Sequence, residues 1–245
     1  SNASRGLGDV YKRQTFMSIF TKTKQRFRRK RLFDLGIIPK EIDTAKLYGG
    51  NHGWVVDYSK LNSNSVVYSV GVGSNIDFDL ALIEELKLAV YAFDPTPRSI
   101  EWIKKQSLSK SFKFIPVGLG SNDGEMEFFP PRKESSTHFS PIDRYDNLGV
   151  ETIKAPVKTL KSLAQEFGHQ TIDLLKMDIE GAEYDVIDNL EEQGVEINQI
   201  LIEFHHMYKG ISLDDTKNAI DKLRKLGFEL FHISQRTYEF SFRKT

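Results

Sequence analysis

Lys176, Asp178, Glu180 and Glu183 crowd the end of the apolar run Ile172-Asp173-Leu174-Leu175-Lys176-Met177, and they carry the clearest chemistry in the chain. Carboxylates at such a tip can orient or deprotonate a hydroxyl, or contact the polar end of a ligand. Asp178 is the first candidate. Glu180 stands beside the start of the following helix, whose dipole favours a negative charge, and Glu183 falls in that helix's first turn. Lys176, two residues before Asp178, projects to the same side of a strand and is expected to pair with it. A second group ends the run Gln199-Ile200-Leu201-Ile202-Glu203-Phe204-His205-His206. Histidine titrates near neutral pH, so His205 or His206 is a candidate general base. Asp178, Glu203 and a histidine also make a donor set for a hard divalent cation that would acidify a hydroxyl. That alternative ranks behind a metal-free site, and no metal is assigned.

A third group implies a bound ligand. Val66-Val67-Tyr68-Ser69-Val70 runs into the turn Gly71-Val72-Gly73-Ser74-Asn75, where glycines let a ligand approach the backbone. Ile76 stands where the dinucleotide fingerprint needs its third glycine, which disfavours a pyrophosphate. Asp94, about twenty residues on and ending Val90-Tyr91-Ala92-Phe93, suits a carboxylate that accepts two hydrogen bonds from ribose hydroxyls. Turn and acid together imply an adenosine-containing ligand.

These residues need strands to hold them at one edge of a sheet. The alternation of apolar runs with helical stripes predicts a doubly wound, mostly parallel sheet with helices on both faces. The first helix carries Ile76, Leu80, Ile83 and Leu86 inward. A second covers Leu160, Leu163, Ala164 and Phe167 and stops at Gly168. Others run from about Gly181 to Gln193, and from the cap Ser212 to Gly227. Phe112–Val117 reads as a third strand, and Glu125–Phe129 as a strand after the turn Asn122-Asp123-Gly124. Phe228–Ile233 and Tyr238–Phe242 form a closing hairpin that supplies an antiparallel edge strand. Residues 130–156 show no period and are the candidate acceptor loop. Upstream, Gly49-Gly50-Asn51-His52-Gly53 is a glycine-rich turn before Trp54-Val55-Val56.

Composition removes several classes of function. Thirty-four basic residues balance thirty-four acidic ones, so no global field attracts nucleic acid or an anionic membrane. With no cysteine, thiolate catalysis, disulfides and cysteine-based zinc sites are excluded. No apolar run reaches the roughly 18–20 residues of a membrane span, and a cytoplasmic protein is expected. Residues 22–31 carry seven positive charges and no negative one; such a run could bind a phosphate-rich partner, but beside a neutral remainder it reads as a solvated N-terminal helix or arm.

Four segments together resemble the FkbM family of S-adenosylmethionine-dependent methyltransferases. They are Val70-Gly71-Val72-Gly73-Ser74-Asn75, Ala92-Phe93-Asp94-Pro95, Gly120 to Phe128, and Leu175-Lys176-Met177-Asp178-Ile179-Glu180-Gly181-Ala182-Glu183. The match covers roughly residues 65–233. It implies a class I methyltransferase fold of seven strands in the order 3-2-1-4-5-7-6, S-adenosyl-L-methionine as cofactor, and O-methylation of a hydroxyl on a small molecule or glycan. Gly71, Gly73, Ser74, Asn75, Asp94, Asn122, Asp123 and Asp178 then form the cofactor set, and Asp178, Glu180, His205 and His206 the catalytic set. Two departures are plain: Gly-Val-Gly-Ser-Asn replaces the usual Gly-Ala-Asn-x-Gly, and Asp-Pro replaces Glu-Pro. Both keep the chemistry type. The Gly-Gly-Asn-His-Gly-Trp segment resembles one in a divergent branch of the family, where it would close over the cofactor. Residues 1–16 read as a tag remnant or leader, 17–60 as a basic arm and glycine-rich cap, and 61–245 as the methyltransferase domain. A nicotinamide-dependent oxidoreductase and a non-catalytic binding module on the same sheet are the competing readings.

Overall fold

The computed structural model describes residues 22–145 and 149–245. Two compact units divide the chain: Ser1–Ile38 with Ser234–Thr237, and Pro39–Ile233 with Tyr238–Thr245. In the first, helix α1 covers residues 22–34 and contains the whole basic segment 22–31. The leader expected over residues 1–16 lies outside the described residues.

The second unit is built on a seven-stranded sheet. Its strands are β3 (Val66–Val70), β4 (Ala89–Phe93), β5 (Phe112–Ile115), β10 (Leu174–Met177), β12 (Gln199–Glu203), β13 (Phe228–Ile233) and β14 (Glu239–Lys244). Their spatial order is β13-β14-β12-β10-β3-β4-β5. Numbered among themselves, these strands run 3-2-1-4-5-7-6 from β5 to β13, the order the sequence resemblance implies. Every neighbouring pair is parallel except those made by β14, which is antiparallel to both β12 and β13. The closing hairpin therefore does not supply an antiparallel edge. Its antiparallel strand lies one place in, and β13, parallel to β12, forms the border.

Alternation along the strands sorts side chains to two faces. On one, Val67, Val90, Ala92 and Leu174 pack with Phe78 and Leu82 of α2 (Asp77–Leu86) and with Trp54 and Val56 of β2 (Trp54–Asp57). On the other, Tyr68 and Tyr91 meet the end of α4 (Leu160–Phe167): the Tyr68 hydroxyl lies 2.8 Å from His169 Nδ1, and Tyr91 is 5.1 Å from Phe167 between ring centres. The stripe of α2 differs from the expected one. Ile76, Phe78 and Leu82 are buried while Leu80 is exposed, because the helix starts at Asp77 and turns Asp79 inward.

Between β5 and α4 lies a small three-stranded sheet of β6 (Gly118–Leu119), β7 (Gly124–Phe128) and β8 (Ile153–Lys158), in the order β6-β8-β7. The irregular stretch thus ends at 152. Pro156 is tolerated in β8 because β6 pairs only with Val157 and Lys158, which leaves β8 an open edge at the proline. The helix expected over 181–193 is two pieces, α5 (Glu183–Asp188) and α6 (Leu190–Gln193). At the break, the Asn189 side chain donates to the Asp185 carbonyl, a local bond that competes with the helical ladder. Helix α7 (Leu213–Lys225) opens with a full capping box between Ser212 and Asp215. The glycine-rich turn joins β1 (Ala45–Tyr48) to β2 in an antiparallel hairpin of this same unit.

Candidate active site

The register aligns four strand ends. Val70 pairs with Phe93 and with Met177, and Met177 pairs with Ile202. The next residue in each strand is therefore Gly71, Asp94, Asp178 or Glu203, in one row at the carboxyl edge. Strand order reverses beside β3, and ligands of open α/β sheets bind at such a point.

Gly71 is fixed by packing. It has a φ of +79°, and a Cβ placed there would stand 1.7 Å from the Asp178 carbonyl oxygen. The two strand tips touch through backbone, and only glycine allows it. Lys176 reinforces the contact. Its ammonium donates to the carbonyls of Gly71 (2.7 Å) and Val70 (3.3 Å) and lies over the Trp54 ring. The pairing with Asp178 read from the sequence is thus replaced by a clamp on the glycine turn. Asp94 is buried: Oδ2 accepts from the Gly73 amide, and Oδ1 accepts from the Thr96 amide and hydroxyl. Asn75 accepts from the Asp77 amide at the head of α2, and Ser74 is exposed. Asp123 caps α4 instead of joining the row, accepting from the Thr159 amide and the Ser162 hydroxyl at 2.6 Å each. Asn122 is exposed beside Ser121.

At the other end of the row the polar groups form two sets. Glu183, with no exposed surface, accepts from the amides of Gly181 and His205 and lies 3.1 Å from His205 Nδ1. That contact aims His205 Nε2 at Asp178, 3.8 Å away, and at Glu180, 3.7 Å away. Burial would lower the His205 pKa, but the Glu183 contact and the charges of Glu183, Glu180 and Asp178 raise it to about 10. Burial raises Asp178, against the opposing charges of Lys176 and His205. One ligand atom each from Asp178, Glu203 and His205 lies within 4.8 Å of the others.

Glu180 belongs to a latch. It adopts a left-handed backbone (φ 55°), and its carboxylate contacts His138 Nδ1, Arg144 Nη1 and the Tyr208 hydroxyl. Ser140 donates to its carbonyl at 2.6 Å. Burial alone would raise the Glu180 pKa, but the His138 contact and the nearby histidine charges bring it down to about 2. So engaged, Glu180 secures the 136–145 loop against the strand tip and is ill-suited to accept a further proton. His206 packs on Tyr238, with ring centres 5.3 Å apart. Arg144, Tyr208 and His138 had no sequence signal, and Glu183 had only its place at a helix start.

Comparisons with known proteins bear on this geometry. A family model described as the methyltransferase FkbM domain matches residues 48–230, more than half of the chain. The probable methyltransferase-like protein 24 of Rattus norvegicus is 28% identical over 160 residues, covering 52% of this chain and 44% of that protein. Its Homo sapiens counterpart is 25% identical over 182 residues, covering 70% and 43%. The hexuronic acid methyltransferase AglP of Haloferax volcanii is 27% identical over 137 residues, covering 55% and 54%. The chain thus spans about half the length, or less, of these relatives. Among solved structures, methyltransferase FkbM from Methylobacillus flagellatus KT aligns with a TM-score of 0.48 at 11% identity, covering 75% of this chain and 44% of that one.

Proposed function

Because the chain belongs to the FkbM methyltransferase family, we propose that its second unit is a class I, S-adenosylmethionine-dependent O-methyltransferase acting on a hydroxyl of a small molecule or sugar. The observation that carries this reading is the row Asp94, Gly71, Asp178 and Glu203 across four adjacent strand ends. Its donor set suits that cofactor. Asp94 uses three of the roughly four acceptor positions of a carboxylate on Thr96 and Gly73, leaving Oδ2 open to a ribose hydroxyl. The Asp178 carboxylate is 25% exposed and makes no hydrogen bond among the described residues, with His205 Nε2 3.8 Å away, which leaves its oxygens open to a ligand. When bound, S-adenosylmethionine supplies an electrophilic methyl group on a sulfonium.

The chain's part is to position an oxygen and to deal with its proton. Asp178 orients the acceptor hydroxyl, His205 stands behind it, and Glu183 holds the imidazole in place. Loop 136–145, latched by Glu180, borders the acceptor side. The AglP relative is named for a hexuronic acid, so sugar acids are the first acceptors to try.

Calorimetry tests the cofactor half. Wild-type protein is expected to bind S-adenosylmethionine, and Asp94→Ala to weaken it about tenfold, the value of a hydrogen bond to a charged group. Unchanged affinity in that variant would remove Asp94 from the site. A thermal shift with NAD and none with S-adenosylmethionine would favour an oxidoreductase instead.

A further inference from the structure

We propose that Asp178, Glu203 and His205 form a divalent-cation site that binds the acceptor hydroxyl, with Mn2+ the favoured ion. The proposal rests on the methyltransferase reading and specifies how its acceptor is held. Adjacent strands β10 and β12 supply the ligands. Met177 pairs with Ile202, so Asp178 and Glu203 leave the sheet side by side, and His205 follows two residues on. The three ligand atoms lie within 4.8 Å of one another, with His205 Nε2 3.8 Å from Asp178 Oδ1. Ligands at roughly 2.1–2.4 Å from a shared ion stand about 3 Å apart when adjacent and up to about 4.8 Å apart when opposed. The observed spread is that of a cation's shell.

His205 gives the second, independent indication. The residue is 3% exposed, and its Nε2 makes no hydrogen bond among the described residues, the nearest carboxylate oxygens being 3.7 and 3.8 Å away. Its Nδ1 is held by the fully buried Glu183. A carboxylate behind one ring nitrogen, fixing the tautomer and aiming the other, is how proteins present imidazole to a metal. Binding releases the Nε2 proton of His205, and the two carboxylates with the resulting neutral imidazole then carry two negative charges, matching a divalent ion. Carboxylates suit Mg2+ and Mn2+, and the imidazole tips the preference toward Mn2+. An acceptor hydroxyl on the ion becomes more acidic: its O–H bond breaks, the electron pair stays on oxygen, and the proton passes to bulk water.

The test is a Mn2+ titration of the full chain followed by electron paramagnetic resonance, without acceptor, beside calorimetry with S-adenosylmethionine. Wild-type protein is expected to take up Mn2+ saturably and stoichiometrically. Glu203→Gln and His205→Gln should each weaken uptake at least about tenfold, and Glu183→Gln by about 10- to 100-fold. Thermal melting establishes that each variant is folded. Glu203 ends its strand half-buried, so Glu203→Gln reports even if the buried His205→Gln does not fold. Wild-type protein that binds S-adenosylmethionine but takes up no Mn2+ overturns the cation site and leaves the methyltransferase reading intact. Uptake unchanged in folded Glu203→Gln also overturns it, and Zn2+ uptake without Mn2+ overturns the ion assignment. Mn2+ uptake without S-adenosylmethionine binding supports the cation site and overturns the methyltransferase reading.

Discussion

Gly71 shows how a residue with a ready functional explanation can be required for a structural reason. A glycine at the end of β3 invites the view that a ligand needs the space, yet the space is taken by the Asp178 backbone. Gly71→Ala should therefore destabilise the protein. A left-handed backbone alone costs a residue with a side chain about 1–2 kcal/mol, and the clash with the Asp178 carbonyl adds to that. Urea denaturation is the measurement, and a wild-type midpoint would show that the two tips can part without cost. Asp178 is the contrasting residue, because its carboxylate makes no hydrogen bond among the described residues and meets His205 only at 3.8 Å. Asp178→Asn is expected to lower kcat by about 10²–10⁴, the range for a positioned proton-handling group, while leaving the melting temperature near that of wild type. A variant that melts early at full activity would make Asp178 structural.

The loop over residues 136–145 behaves as an element because one carboxylate gathers its contacts. Glu180 meets His138 and Arg144 from the loop and Tyr208 from beyond β12. The Glu180 contact raises the His138 pKa above the ordinary 6.5 against the effect of burial. A raised histidine contributes stability below its unfolded value and loses it as pH climbs through its folded value. Hydrogen exchange in the loop should accordingly quicken as pH rises past the normal histidine range, once corrected for intrinsic rates, and Arg144→Ala should quicken it at every pH. Acceptor KM should rise in that variant more than kcat falls. Protection that is flat with pH would mean that His138 contributes no charge to the latch.

In the second unit as a whole, the distant ends of the fold are tied by charge as well as by sheet. Arg243 bridges Asp57 of β2 and Glu229 of β13, and Gln199 exchanges two hydrogen bonds with the Asp57 backbone. Burial pushes the Asp57 carboxyl up, but bonds from Ser59, Thr44 and Arg243 outweigh it and leave the group below 3.8. Lys40 and then Arg243 hold Glu229 below 4.5. Depressed carboxylates add stability above their unfolded values and lose it as pH falls through the folded ones. The urea midpoint should therefore drop as pH falls below about 4.5. Arg243→Met should flatten that drop, and an equally steep loss in the variant would place the acid sensitivity elsewhere.

Most of the sheet and one edge of the site were written locally in the chain. A buried parallel strand reads as an apolar run with polar residues at its tip, so Gly71, Asp94, Asp178, Glu203 and His205 could be found one strand at a time. Caps such as Ser212 and Gly168 mark their helices within a few residues. Other features depend on partners far away in sequence. Nothing near Glu180 announces that His138, 42 residues earlier, and Tyr208, 28 residues later, will meet it. β8 hid behind a proline whose open edge exists only because β6 is two residues long. The inward turn of Asp79, the use of Lys176 to clamp a turn, and the aim of His205 were likewise decided by packing. The sequence by itself determined which groups stand at the carboxyl edge, because strand period and tip polarity are local. Only the tertiary structure decided which of them are consumed by one another, because hydrogen-bond partners are chosen by proximity in space.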